Sequence, residues 1–327
     1  MSKINNGLII SSVINNKARI YFAIKLIVAV LLIYYIISYV ELKNILSTFL
    51  EANYFLLAAC LALLIPNILL QYWKWKLTCN KMFGEISRRK ILMSLFYGFP
   101  AAVFTPGRAG EYFGRALAFK DKNLSDVILA TAVDKFFTII VTFISGSIGM
   151  IFFIHKYFET AVYAPLPLTI SFFLFIVLGL AYLFSDKQRF FNSASYVLRY
   201  KWLIKIREKL LILKSLDRKY AYKMIFVSFL FFMCYILQFT ILLMAFSNQE
   251  NFINYFWTAL VIMFAKSILA PISLSEIGVR EGAAIYFLTQ MGESSSVALN
   301  SSLSLFAINI ILPSLIGLIL LFVRTDD

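Results

Sequence analysis

Apolar runs long enough to cross a bilayer alternate with short polar segments, and this alternation sets the expected architecture. About 20 apolar residues cross the hydrocarbon core as a helix, and 20–40 is the first such run. Residues 54–72 predict a second span, kinked at Pro66-Asn67 because proline removes a helix hydrogen bond. Residues 124–154 exceed the membrane's need and predict a tilted helix that carries Asp134-Lys135 about three turns in. Further spans are expected at 163–184, 224–246, 252–270 and 298–323. Two apolar segments, 91–104 and 282–291, are too short to cross alone, and each adjoins a proline-bearing break with charges. The expectation is an all-α polytopic membrane helix bundle of seven to eight spans, plus two broken or re-entrant helical segments forming a weak internal repeat. It reads as one integral membrane domain over 1–327: a polar segment 1–19, a first half 20–184, a basic loop 185–223 and a second half 224–327.

Composition agrees. Hydrophobic residues make up 61% of the chain and mean hydropathy is +0.81, against about 45–50% apolar residues in soluble domains. The net charge of +14 would suit a nucleic-acid binder if it formed one face, but Lys and Arg cluster between spans, as in cytoplasmic loops. Counting them puts the N-terminus, 73–90, 107–123 and 185–223 on one side, and 41–53, 155–162 and 247–251 on the other. A cell (inner) membrane protein with a cytoplasmic N-terminus follows. The side of the C-terminus depends on whether the second broken segment crosses or turns back. Tyr72, Trp73 and Trp75, interleaved with Lys74 and Lys76, read as an interfacial aromatic belt. Residues 185–223 hold eleven Lys/Arg against three acids. Within them 196–216 reads either as an amphipathic helix on an anionic leaflet or as a solvated basic loop. No small-residue cleavage site follows the first apolar run, so no cleaved leader is expected.

Charges within apolar surroundings are the candidate chemistry, since each costs on the order of 2.5–3.5 kcal/mol at the bilayer centre unless it finds a partner or water. A helix starting at Pro106 would place Arg108, Glu111 and Arg115 at i, i+3 and i+7, on one face. Arg280 and Glu281 follow the second break in a similar Gly-Val-Arg-Glu setting. Broken helices at membrane depth are a common transporter device, and an arginine fork matches phosphate geometry. Arg108, Arg115 and Arg280 are therefore candidates for a lipid phosphate. Glu111 and Glu281 would hold the arginines or meet a cationic headgroup. Pro106, Gly107, Gly110, Pro271 and Gly278 would shape the backbone, with Asp134, Lys135, Lys266 and Glu276 as further candidates. A purely structural reading, in which these charges pair and hold the two halves together, stands beside it. Cys60, Cys79 and Cys234 are scattered in or beside apolar runs and His155 ends a span, so no metal and no cofactor is expected.

The motif Thr105-Pro106-Gly107-Arg108-Ala109-Gly110-Glu111 with Arg115 resembles the Pro-x-Arg-x-Gly-Glu-x-x-Arg pattern of the flippase-like membrane domain of lysylphosphatidylglycerol synthetases. Asp134-Lys135 is similar to that family's acid–base pair, Ile277 to Glu281 to the end of its Gly-x-Gly-x-Arg-Glu segment, and Tyr72-Trp73-Lys74 to the end of its second helix. Ser275-Glu276 stands where the family commonly has glycine. The resemblance spans about 20–323 and implies a stand-alone relative without the soluble aminoacyl-transferase domain. It implies a lipid translocase or headgroup-binding protein for anionic, aminoacylated or lipid-linked headgroups, more a carrier than an enzyme. Two alternatives stay open. One is a membrane component of aminoacyl-lipid or glycolipid synthesis (phosphatidylglycerol lysyltransferase-like) with a soluble synthase or glycosyltransferase partner. The other is a scaffold for a soluble protein. No Ser–His or Cys–His set or phosphate-cradling glycine loop supports an independent enzyme.

Overall fold

The computed structural model describes residues 42–103, 105, 107–157, 216–269 and 278–323. Among these the architecture is all-helical, with no strand. In chain order the helices are α1 (Leu42–Leu50), α2 (Tyr54–Ala62), α3 (Leu64–Phe83), α4 (Arg88–Val103), α5 (Gly110–Ala116) and α6 (Leu124–Tyr157). Then come α7 (Arg218–Ser247), α8 (Phe252–Leu269), α9 (Val279–Thr289), α10 (Ser295–Phe306) and α11 (Leu312–Phe322). Five stretches are long and apolar enough to cross a membrane: Tyr54–Phe83, Leu124–Tyr157, Arg218–Ser247, Phe252–Leu269 and Ser295–Phe322. The expected spans at 20–40 and 163–184, and nearly all of the basic loop, lie outside the described residues.

Proline explains the irregular points. The helix breaks at Leu63 between α2 and α3, just before Pro66, whose ring crowds the carbonyl four residues earlier. A π-helical turn, Ala307–Ile311, joins α10 to α11 ahead of Pro313, a common way to absorb a missing N–H. Asn53 caps α2 by accepting from the backbone N–H of Phe55 and Leu56. The main core lies among α7, α8 and α9, where Phe239, Leu242, Leu243, Val261, Ile262 and Leu288 are fully enclosed. A second core joins Trp75 and Cys79 of α3 to Ile91, Leu95 and Phe99 of α4 and to Phe119.

Contacts at the helix ends sort the connections into two faces. Lys81 pairs with Asp217 at 3.3 Å, and Lys90 pairs with Asp121. These join the end of α3 to the start of α7, and the start of α4 to the α5–α6 connection. On the opposite face Asn248 donates to the Glu51 carbonyl at 2.9 Å, Lys156 meets Asn254, and Tyr255 donates to Glu293 at 2.5 Å. Among the described residues the ends near Lys81, Lys90, Asp121 and Asp217 therefore lie on one face, the basic one, and those near Glu51, Lys156 and Asn248 on the other, the basic-poor one. Tyr255 and Thr258, early in α8, touch Glu293 and Met291 beyond the end of α9, so α9 returns antiparallel to α8. α10 starts on the basic-poor face, where Asn300 donates to the Ile45 carbonyl at 2.9 Å. The α10–α11 span thus ends at Phe322 on the basic face.

Candidate functional site

The first broken segment is a helical hairpin. α4 and α5 run back to back, with Gly110 at Ala101, Gly114 at Tyr97 and Gly98, and the Ser94 hydroxyl donating to the Arg115 carbonyl at 2.8 Å. Only glycine permits this approach, because a Cβ on Gly110 would lie 2.0 Å from the Ala101 carbonyl oxygen and one on Gly114 2.4 Å from that of Tyr97. Segment 91–115 therefore turns back rather than crossing. The tip is closed by Gly107 and Arg108, both in the left-handed region at φ 57° and 58°, which costs a non-glycine residue roughly 1–2 kcal/mol. The Arg108 N–H donates to the Thr105 carbonyl and the Glu111 N–H to the Arg108 carbonyl, each at 3.1 Å.

This corrects the expected helix start. Pro106 lies outside the described residues, and the helix begins at Gly110 because two successive positive φ values cannot continue a right-handed helix. Thr105 acts as the cap, its hydroxyl accepting the Gly110 N–H at 2.7 Å. The expected pairing of Arg108 with Glu111 is present at 3.1 Å, made across this turn rather than along a helix face.

From the tip a network of ion pairs extends to α6 and α3. Glu111 Oε1 accepts from Arg115 Nη2 at 2.7 Å, and its Oε2 accepts from Lys135 at 2.7 Å. Arg115 Nη1 donates to Asp134 Oδ2 at 3.0 Å, and Asp134 Oδ1 lies 3.4 Å from Lys74. Lys74 also donates to Thr138. The Arg115 guanidinium lies 4.5 Å from the Trp75 ring centre, and Trp75 Nε1 donates to Ser94 at 3.1 Å. Asp134 and Lys135 thus engage different partners, since adjacent helical residues diverge by about 100°. Glu111, Arg115, Asp134 and Lys74 are buried, whereas the side chains of Arg108 and Lys135 keep 18% and 25% exposure.

That partial exposure is toward a cavity of about 540 Å³ bounded by α3, the hairpin, α6, α7 and α8. Lys135 stands 11 residues beyond Leu124, about 16 Å along the axis and within the first half of the 34-residue α6. The wall includes Lys74, Arg108, Arg115, Lys135 and Lys266. Glu111 and Asp134 are its carboxylates among the described residues, and Tyr112, Phe231, Phe232 and Tyr235 supply its aromatic part.

The second charged pair sits behind this wall. Arg280 Nη2 donates to Glu281 Oε1 at 2.7 Å and its Nε to Ser302 at 2.8 Å, while Ser302 donates to Glu281 at 3.0 Å. Glu281 Oε2 accepts the Gly278 N–H at 2.7 Å, capping α9. Arg280 is fully buried and Glu281 nearly so. Neither lines the cavity, but Arg280 Nη1 donates to the Tyr235 hydroxyl at 3.5 Å and Tyr235 does line it. Pro271 and Glu276 lie outside the described residues.

Lys74 and Trp75 require a correction. They were expected in an interfacial belt, yet α3 continues to Phe83 and both are buried beside Arg115 and Asp134, with Trp73 exposed and Tyr72 and Lys76 half-buried. A stripe of Asn67, Gln71, Lys74 and Thr78 at spacings of four, three and four carried that signal. Gln71 donates to Asn67 at 2.8 Å, and Asn67 to the buried Gln238 at 3.2 Å. Tyr235 and Ser302, inconspicuous within apolar runs, had no comparable signal. No group of three or more His, Cys, Asp or Glu suited to a metal occurs among the described residues.

Long apolar helices surrounding a charged internal cavity, with a glycine-packed hairpin forming one wall, define a multi-pass membrane protein built around a polar interior site. The sequence profile of the lysylphosphatidylglycerol synthase TM region matches residues 22–317, and the chain belongs to that family. A comparison with curated proteins gave no match.

Proposed function

We propose that this chain binds the polar head of a membrane lipid in the cavity and carries it across the bilayer while the acyl chains remain in lipid. The supporting observation is the cavity itself. About 540 Å³ lies among candidate membrane-crossing helices with charged side chains of both signs in its wall, within the 300–1,000 Å³ usual for small-molecule sites. Charges kept among membrane-crossing helices mark substrate or ion pathways by default. Arg108 and Lys135 are the members of the network with side chains open to the cavity, and they would meet the head first. Glu111, Arg115, Asp134 and Lys74 would hold them in place, and Arg280 and Glu281 would brace the wall through Tyr235. On this reading the protein sits in the cell membrane with the basic face cytoplasmic.

The test is reconstitution. Proteoliposomes holding the purified chain and a fluorescent phospholipid should equilibrate the label between leaflets, read by a membrane-impermeant quencher. Arg108→Ala should slow this at least about tenfold while the protein stays monodisperse. Transfer at the rate of empty liposomes, or at an unchanged rate in Arg108→Ala, would overturn the proposal.

A further inference from the structure

A chain of side-chain amides runs from the core to the cavity, and its direction is fixed at the core end. Gln238 Nε2 donates to the Cys60 backbone carbonyl at 3.2 Å. A carbonyl only accepts, so the Gln238 amide must put its nitrogen at that end and its oxygen at the other. That oxygen accepts from Asn67 Nδ2 at 3.2 Å. Asn67 thereby turns its own oxygen to Gln71, whose Nε2 donates to it at 2.8 Å. Gln238 and Asn67 are fully buried. Turning either amide over would set oxygen against oxygen with no water to relieve it.

The chain ends at the cavity wall. Gln71 lines the cavity and is the wall's one amide side chain among the described residues. Its Oε1 accepts from no described residue. The neighbouring hydroxyls are engaged: Thr142 and Ser267 donate to carbonyls of their own helices, and Thr138 accepts from Lys74. An amide oxygen takes hydrogen bonds and gives none, so the wall presents an uncharged acceptor held in place from behind. It stands one turn before Lys74 on the same face of α3, about 4.5 Å along the axis.

We propose that Gln71 reads a hydroxyl on the lipid head, so that the cavity prefers polyol or sugar heads over heads of equal charge without a hydroxyl. This rests on the reading above that the cavity takes a lipid head, and it names the class of head and the residue that recognises it. An ionised phosphodiester has no proton to give, so the phosphate cannot satisfy Gln71. The donor must come from the part of the head beyond the phosphate. A head lacking one leaves the amide oxygen to water or to nothing, and its binding is weaker by the hydrogen bond not made.

The experiment measures binding separately from transfer. The full chain in lipid nanodiscs is loaded with fluorescent phosphatidylglycerol, and unlabelled phosphatidylglycerol or phosphatidylpropanol competes for it. The two heads have the same charge and carbon chain and differ only in their hydroxyls. Phosphatidylglycerol should displace the label at about three- to tenfold lower content, the worth of one hydrogen bond. Gln71→Met, of similar length but without the acceptor, should bring the two lipids to within about twofold of each other. Gln71→Ala, which only removes atoms from the wall, serves the same comparison if the methionine variant folds poorly. Equal or better displacement by phosphatidylpropanol in wild type, or an undiminished preference in the variants, overturns the assignment. Transfer of both lipids in proteoliposomes would then leave the carrier reading intact. A preference that the Gln71 variants lose, found without transfer, supports the assignment and overturns the carrier reading. Displacement by neither lipid overturns both.

Discussion

Replacing Glu111 by glutamine removes one charge from the centre of the network with almost no change of shape. Its carboxylate lies 2.7 Å from Arg115, 2.7 Å from Lys135 and 3.1 Å from Arg108, so three cations lose their shared counter-ion. Arg115 retains Asp134 at 3.0 Å, while Lys135 and Arg108 are left facing each other and the cavity. Breaking a buried pair by removing one partner costs about 3–5 kcal/mol. The glutamine carbonyl still accepts one hydrogen bond and Lys135 can turn toward the cavity, which places the expected loss at the lower end, about 3 kcal/mol. A loss of that size lowers Tm on the order of 5–10 °C. The assay is thermal unfolding of the purified chain followed by tryptophan fluorescence, with Trp75 against Arg115 as a reporter inside the network. Lys135→Gln and the double variant complete a cycle, and a coupling of about 1–3 kcal/mol should make the double variant milder than the sum. An unchanged Tm in Glu111→Gln, with additive behaviour in the cycle, would refute the view that this carboxylate holds the cations together.

Other perturbations probe separate parts of the molecule. Gly110→Ala places a Cβ 2.0 Å from the Ala101 carbonyl oxygen and should prevent recovery of folded protein. Gly282→Ala, with nothing within 4 Å, should leave Tm unchanged or raised, since alanine is favoured over glycine in a helix by about 0.5–1 kcal/mol; equal behaviour of the two in size-exclusion and melting experiments would contradict the hairpin packing. Arg280→Ala strands the buried Glu281 carboxylate and should cost about 3–5 kcal/mol, read as a fall in Tm, and a stable variant would remove its bracing role. The backbone N–H of Tyr220 and the ammonium of Lys81 hold the Asp217 carboxyl below its ordinary value of 3.8. Its stabilising contribution is therefore complete above that value and lost as pH falls through the lower folded one. The Tm advantage of wild type over Asp217→Asn should be present near about pH 6 and shrink as pH falls below 3.8; a difference independent of pH would count against the ion pair.

Much of this architecture is legible before any coordinates, and the reasons differ by element. Apolar length alone predicts spans at 54–72, 124–154, 224–246, 252–270 and 298–323, and the structure has candidate spans at Tyr54–Phe83, Leu124–Tyr157, Arg218–Ser247, Phe252–Leu269 and Ser295–Phe322; the Lys/Arg count separates the described connections because loops cannot hide their charge. Sequence spacing also brings Arg108 and Arg115 to Glu111. The position of Lys74 is easily misread, because a lysine among tryptophans at the end of an apolar run has the composition of an interfacial belt. The polar stripe it shares with Asn67, Gln71 and Thr78 is the signal that distinguishes the two. The helix start at Gly110 was hidden for a different reason. Pro106 is a good first residue of a helix, and nothing local reports that Gly107 and Arg108 adopt positive φ. Tyr235 and Ser302 are single polar atoms whose partner, Arg280, is remote in sequence.

The glycine contacts between α4 and α5 carry a mechanical consequence. Two legs in close contact through Gly98, Gly110 and Gly114, and tied by Ser94 to the Arg115 carbonyl, move as one lever. Any widening or narrowing of the central chamber must then be taken up where the lever is rooted, around Lys90 and Asp121, so that its charged tip swings as a unit while the distances among Arg108, Glu111 and Arg115 hold.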